Sequence, residues 1–259
     1  MKSSIEKVID DAVREFEKNE DISTRWKKPL VAYADAADPM FKILKEVAAP
    51  DHLEPTDINP EGRSVITYFL PFEDWIIASN TGGTECSREW ATAYIETNKL
   101  IAEINDRLIK YLGEAGWRTE KLPKELNMNY ETLTSVWSNR HVSYIAGLGT
   151  FGINNMLITE NGCCGRLGNV VTSMELESTK RPDSEYCLYK LDGSCEVCVD
   201  NCMVNALGEE FDRFGCNEVL KVNAERFIDL GQAQCCGKCL TGLPCSTINP
   251  ATKYDKIPS

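Results

Sequence analysis

Nine of the twelve cysteines in this 259-residue chain fall after Glu177, and their spacing constrains that third of the protein more than any other feature does. Cys195-x2-Cys198-x3-Cys202 follows Cys187, and Cys236-x2-Cys239-x5-Cys245 follows Cys216 and Cys235. A chain this long buries a full core without staples, so the thiols need another reason. Where two iron-sulfur cubanes share a domain, each run of cysteines gives its last member to the other cluster, which ties distant segments together. On that pattern Cys187, Cys195, Cys198 and Cys245 hold one [4Fe-4S] cluster, and Cys202, Cys216, Cys236 and Cys239 hold a second. Cys235 is then spare, or exchanges with Cys236.

A pair of zinc sites is the competing assignment, because four-thiolate zinc also uses C-x2-C pairs. Here a third cysteine follows each pair and others precede it, giving the eight thiolates of two cubanes. His52 and His141 are the only histidines and lie outside the cysteine-rich third, which disfavours mixed ligation. Cys86 reads as a small buried hydrophobe. Cys163–Cys164 sits in a glycine-rich loop, where it faces a ligand, forms a vicinal disulfide or has no special role.

The opening residues, 1–20, alternate charge with apolar side chains and contain no secretory apolar run, so reduced thiols in a cytoplasmic protein are expected. No apolar stretch approaches the roughly 18 residues of a membrane span. The net charge of −12 opposes a phosphate backbone and makes nucleic acid an unfavourable partner. Lys27, Lys28, Arg118, Lys121 and Lys124 are the scattered basic candidates against that view.

Helical spacing of Ile5, Val8, Ile9, Ala12, Val13 and Phe16 predicts an opening helix, with Ser3 and Glu6 placed as in a capping box. Arg63 to Leu70 reads as a buried strand stopped by Pro71. Glu89 to Leu112 carries an apolar stripe ended by Gly113 and Gly116 and predicts the longest helix. Six glycines from Gly147 to Gly168 then punctuate two short apolar runs, Met156–Ile158 and Val170–Met174. Glycines there either let backbone lie against a ligand or make tight turns between strands. The polar connector from Ser178 to Glu185 divides residues 1–180 from a cysteine-rich domain at 181–259.

The segment from Asp192 to Cys202, then Phe214-Gly215-Cys216 and Cys236-Gly237-Lys238-Cys239, resembles the iron-sulfur domain of epoxyqueuosine reductases and the related reductive dehalogenases. Upstream, Ala146-Gly147-Leu148-Gly149-Thr150-Phe151-Gly152 is similar to that family's AGLGxxG loop, and Glu61-Gly62-Arg63-Ser64-Val65-Ile66 to its GARSVI strand. The resemblance implies an α+β architecture: a nitroreductase-like N-terminal domain that binds cobalamin, followed by a bacterial-ferredoxin-like two-cluster domain. Electrons would pass through the clusters to cobalt and on to substrate.

Several positions depart from the family pattern. Asp192 stands where the first motif cysteine usually falls, leaving Cys187 as its substitute, and Met203 and Ser246 replace prolines. The family's proton-donating aspartate falls at Leu133 by ungapped counting back from Ala146, unless a register shift brings Glu131 into its place. The chain stops at Ser259, short of the helical-repeat extension common among the queuosine enzymes, so a short form is expected.

The resulting expectation is a cytoplasmic iron-sulfur oxidoreductase that passes single electrons to a corrinoid or small-molecule substrate in the N-terminal domain. Its alternative is a non-catalytic electron-transfer or assembly subunit for a partner enzyme. His141 and Tyr144 are the candidate proton donors, the first by titrating near neutrality, against the plainer reading of a structural histidine and a core tyrosine. Gly147, Gly149, Gly152, Asn154 and Arg166 are the candidate cofactor-binding residues, with Asn155, Cys163 and Cys164 nearby. A ferredoxin- or flavodoxin-type protein is the expected electron donor.

Overall fold

A computed structural model describes residues 1–123 and 127–253, so Lys124 lies outside the described residues. In chain order the elements are α1 (Lys2–Phe16), β1 (Leu30–Asp35), α2 (Met40–Val47), α3 (Pro55–Ile58), β2 (Ser64–Pro71), α4 (Asp74–Ser79), α5 (Arg88–Glu114) and β3 (Thr119–Glu120). There follow β4 (Met128–Asn129), β5 (Thr134–Ser135), α6 (Asn139–Ile145), β6 (Gly149–Phe151), β7 (Leu157–Thr159) and β8 (Gly165–Thr172). The cysteine-rich part adds α7 (Leu188–Asp192), α8 (Val197–Asp200) and α9 (Arg213–Arg226).

Strands β1, β2, β8 and β3 form an antiparallel sheet in that order. Every residue of β2 is buried, because helices cover both faces of the sheet and leave no solvated side. Alternation splits the strand between two cores. Ile66, Tyr68 and Leu70 meet Leu100, Ile104 and Leu108 of α5 and Ile5 and Ile9 of α1 on one face. Val65 and Phe69 meet Phe41 and Leu44 of α2 and Val142 and Ile145 of α6 on the other. Full burial of each such aliphatic side chain contributes about 1.5–3 kcal/mol. Polar groups inside are paired: Thr67 Oγ1 lies 2.6 Å from Ser143 Oγ, and Tyr68 donates to Asn105 Oδ1 at 2.8 Å.

The predicted strand and long helix appear as β2 and α5, the latter capped by Ser87, whose Oγ accepts from the Trp90 amide at 3.1 Å. The N-terminal capping box does not form. Helix α1 starts at Lys2 with no side-chain cap, which places Ser3 inside the first turn. The run expected from Val170 begins earlier, at Gly165, because the whole of β8 pairs with β2 from Ser64 to Pro71.

The core does not stop at residue 180. Cys187, Phe227, Ala233, Cys235 and Leu240 are buried in the same cluster as Leu70 and Trp90. The Lys238 ammonium, itself buried, donates to the carbonyls of Asn80 at 3.0 Å and Gly82 at 2.7 Å. The cysteine-rich segment is thereby fastened to the loop after α4.

Candidate metal centre and adjoining cavity

Cys187 caps α7, Cys195 and Cys198 flank the start of α8, and Cys245 comes from the turn at 244–245. All four thiols line one cavity, together with Gly152 and Asn154 of the loop after β6. Burial pushes the Cys198 thiol up to about 12, and the neighbouring charges of Cys245, Cys187 and Cys195 push in the same direction. Four thiolates cannot share so small a space unless a cation among them compensates their charge.

Cys202, Cys216, Cys236 and Cys239 form a second group alongside. Cys239 is pushed up to about 12 by burial and then by the charges of Cys236, Cys216 and Cys202. Burial raises Cys216 and Cys236 too, with the charges of Cys236 and Cys202 adding at Cys216 and those of Cys86 and Cys202 at Cys236. Cys198, Leu207 and Leu243 form an apolar partition, with Ile153, Cys202, Cys239 and Cys245 packed on it. The Ala206 amide donates to Cys202 Sγ at 3.2 Å. Arg140, at the start of α6, places its charge where both Cys239 and Cys216 feel it, and it donates to the carbonyl of Asn155. Among the described residues no three of His, Cys, Asp and Glu converge tightly enough to hold one ion.

The remaining thiols have structural partners. The Cys163 amide donates to the carbonyl of Cys245 at 2.9 Å and the Cys164 amide to that of Ser246 at 3.1 Å, so this pair splints the segment that carries Cys245. Gly162 makes the approach possible. Its φ is +76°, and a Cβ there would lie 2.5 Å from the Ser246 backbone. Cys163 Sγ is 4.0 Å from Cys245 Sγ, and Cys86 Sγ is 3.8 Å from Cys235 Sγ. The latter pair joins the loop before α5 to the segment before Cys236.

Gly147 and Gly149, two of the candidate cofactor-binding glycines, approach other backbone closely on the side where a Cβ would stand. A Cβ on Gly149 would lie 1.9 Å from the carbonyl of Ile158, because β6 and β7 pair there. A Cβ on Gly147 would meet the Lys180 carbonyl at 2.9 Å. Gly152 and Asn154 line the thiol cavity, and Asn154 Nδ2 donates to the Cys239 carbonyl at 2.7 Å. Arg166 lines neither cavity described here; its guanidinium lies 4.2 Å over the Tyr94 ring, with Nε buried and without a partner.

A second cavity, of ≈ 250 Å³, opens between α2, α6, Phe151 and the segment from Glu185 to Lys190. His141, Tyr144 and Phe151 line it, with Ile43, Leu44 and Val47 of α2 opposite and Glu185 and Lys190 at the side. The His141 and Tyr144 rings lie 4.9 and 5.6 Å from that of Phe151. His141 does not titrate near neutrality. Burial, then the charges of Arg140 and His52, push it down to about 4, and its Nδ1 lies 2.8 Å from Ser138 Oγ.

No family model and no curated protein sequence matches the chain. Solved structures do. A selenomethionine-labelled epoxyqueuosine reductase superposes with a TM-score of 0.58 at 19% identity, over 91% of this chain and 65% of that one. The chain shares the epoxyqueuosine reductase fold. The Bacillus subtilis epoxyqueuosine reductase, whose catalytic aspartate loop is swung out of the active site, gives 0.55 at 18%, over 93% and 66%. An epoxyqueuosine reductase with a modified tRNA-Tyr stem loop gives 0.56 at 20%, over 93% and 66%. The chain thus spans just under two thirds of the length of these three structures.

On this epoxyqueuosine reductase fold the position counted for the aspartate is Leu133, in the hairpin between β4 and β5, at a φ of 53°. Glu131 is exposed in the same hairpin. The hairpin leans on the cysteine-rich part, where Arg213 donates to the Thr132 carbonyl at 3.4 Å. Of the scattered basic residues, Lys27 pairs with Asp74, Lys121 with Asp106, and Arg118 with Glu61 and Glu120. No described helix is long and apolar enough to cross a membrane. Arg140, Glu185 and the Cys86–Cys235 pair were missed by the sequence reading. Their significance rests on contacts between segments that no local pattern encodes.

Proposed function

We propose that this chain is an iron-sulfur oxidoreductase that carries two [4Fe-4S] clusters and delivers single electrons to a small molecule in the cavity at His141, Tyr144 and Phe151. Residues 181–259 serve as a bacterial-ferredoxin-like two-cluster unit on a nitroreductase-like layer, inside a reducing cytoplasm. The observation that carries the reading is the crossing: Cys245 closes the cavity of Cys187, Cys195 and Cys198, while Cys202 joins Cys216, Cys236 and Cys239. The two sets together supply the eight thiols that two cubanes require. The clusters, when bound, store and pass one electron each.

The chain's own groups set the conditions for that transfer. The Ala206 N–H aimed at Cys202 Sγ and the Arg140 charge beside Cys216 and Cys239 stabilise the more negative, reduced state. Leu207, Leu243 and Ile153 exclude water between the two thiol groups. His141 is neutral at neutral pH, so proton delivery in the cavity falls to the Tyr144 hydroxyl. Exposed Phe214, Val222 and Ile228, around the helix that holds Cys216, give a ferredoxin- or flavodoxin-type donor a surface to meet.

A corrinoid does not fit these residues. Drug-sized ligands occupy cavities of about 300–1,000 Å³ and a corrinoid exceeds most of them, whereas the cavity here is ≈ 250 Å³ and Gly147 and Gly149 face backbone. No step is therefore routed through cobalt. A small molecule also suits the net charge of −12 better than a tRNA does. Iron and acid-labile sulfide analysis of anaerobically prepared protein tests the reading. About eight of each per chain is the expected result, and zinc in their place overturns it.

A further inference from the structure

We infer that Cys86 and Cys235 form a modification site, a thiol pair that a low-molecular-weight disulfide oxidises to a covalent link between the loop before α5 and the segment leading into Cys236. The two residues are 149 positions apart in the chain, yet their Sγ atoms lie 3.8 Å from each other in the core. Neither belongs to the two groups of four thiols. Asn80, fully buried, sets their meeting: its Nδ2 donates to the carbonyl of Cys236 at 2.9 Å, and its Oδ1 accepts from the Ser87 amide at 2.9 Å. One side chain thereby ties the residue after Cys235 to the residue after Cys86. Asn223 Nδ2 holds the Cys235 carbonyl itself at 2.8 Å.

With both backbones held, the side chains are what can still move. Sulfurs in a disulfide stand about 2 Å apart, so closure asks for roughly 2 Å of approach, which lies within the range of rotation about the two Cα–Cβ bonds. Residues 81–85, immediately before Cys86, are exposed, and a Cβ on Gly82 or Gly83 would meet nothing within 4 Å. Local opening of this loop presents Cys86 to a small oxidant. Its thiolate attacks one sulfur of the small disulfide, forms a mixed disulfide and releases one thiol. The Cys235 thiol, giving up its proton, then attacks the Cys86 sulfur and releases the second. One S–S bond breaks and one forms, the two protein thiols lose two electrons and two protons, and the small disulfide is reduced to two thiols. Cys163 and Cys164 are the other thiols outside the two groups. Their amides are fixed on the carbonyls of Cys245 and Ser246, and the Cys164 thiol donates to the Leu240 carbonyl at 3.1 Å, so the backbone between them is not free to close the small ring that joins consecutive cysteines.

This inference goes beyond the proposed function and does not depend on which metal the other eight thiols hold. The test is incubation of the anaerobically prepared full chain with glutathione disulfide and, in parallel, with the smaller cystamine, followed by alkylation, digestion and mass spectrometry. The expected product is a peptide pair joined through Cys86 and Cys235, absent before oxidation, reversed by dithiothreitol and formed with the metal content unchanged. Recovery of both cysteines as alkylated thiols shows that they only fill space and overturns the assignment. A link from either one to another cysteine overturns it too, as does a Cys86–Cys235 link confined to protein that has lost its metal, where liberated ligands pair at random. In Cys235→Ser the reaction should stop at Cys86 carrying one glutathione, and an unreacted Cys86 there also overturns the site. Metal analysis of the same samples keeps the two readings apart. Zinc with the link intact sinks only the proposed function, and full iron without the link sinks only this inference.

Discussion

Asn154 Nδ2 donates a 2.7 Å hydrogen bond to the backbone carbonyl of Cys239, while its Oδ1 accepts from the Met156 amide at 3.1 Å. One buried side chain therefore fixes both the loop after β6 and a thiol of the second group. Asn154→Ala leaves the carbonyl unpaired in a buried setting and should cost about 1–3 kcal/mol in anaerobic urea unfolding. Asn154→Asp should cost more near neutral pH, since a carboxylate cannot donate. Stability equal to the parent's in both variants would show that the amide donor is unimportant.

The crossed arrangement predicts which cluster each cysteine variant damages. Cys245→Ser should perturb the cluster held by Cys187, Cys195 and Cys198, and Cys202→Ser the one held by Cys216, Cys236 and Cys239, as read by electron paramagnetic resonance of the reduced protein. Cys86→Ser and Cys235→Ser serve as controls. Both thiols are buried against each other at 3.8 Å and should leave both signals intact. If Cys235→Ser abolishes a signal while Cys236→Ser does not, the ligand is Cys235.

His141 gives the stability curve a pH dependence of known sign. Its value in the fold is about 4 against an ordinary 6.5, so between these the unfolded chain binds a proton that the native chain refuses. The stabilisation is complete above about 6.5 and is lost as the pH falls toward 4. Burial lowers His52 too, in the same direction. His141→Phe, which keeps a ring against Phe151, should flatten the fall in stability across that window. Parallel curves for the two proteins would show that His141 titrates normally.

Packing holds Gly149 to glycine. A Cβ there would lie 1.9 Å from the Ile158 carbonyl, and backbone cannot move aside as a flexible side chain can. Gly149→Ala should force β6 and β7 apart and destabilise the chain by about 1–3 kcal/mol, in the range of other overpacked sites. Thermal unfolding measures it. A variant as stable as the parent would mean that the approach relaxes without cost and would reopen a ligand role for the loop.

The sequence by itself determined the elements whose information is local. The continuous burial of β2 and the helical stripe of α5 follow from neighbouring residues, and so does the existence of two cysteine groups with an internal C-x2-C pair. Only the tertiary structure decided what depends on segments far apart in the chain. The six-glycine stretch admitted both a ligand cradle and tight packing, and only the fold brings Ile158, Lys180 and Ser246 over Gly149, Gly147 and Gly162 and sets Gly152 on the thiol cavity. His141 looked like a group poised near neutrality until burial and Arg140 removed its charge. Spacing along the chain records which thiols are neighbours, whereas desolvation and the charges that set a group's chemistry arise only when distant segments pack together.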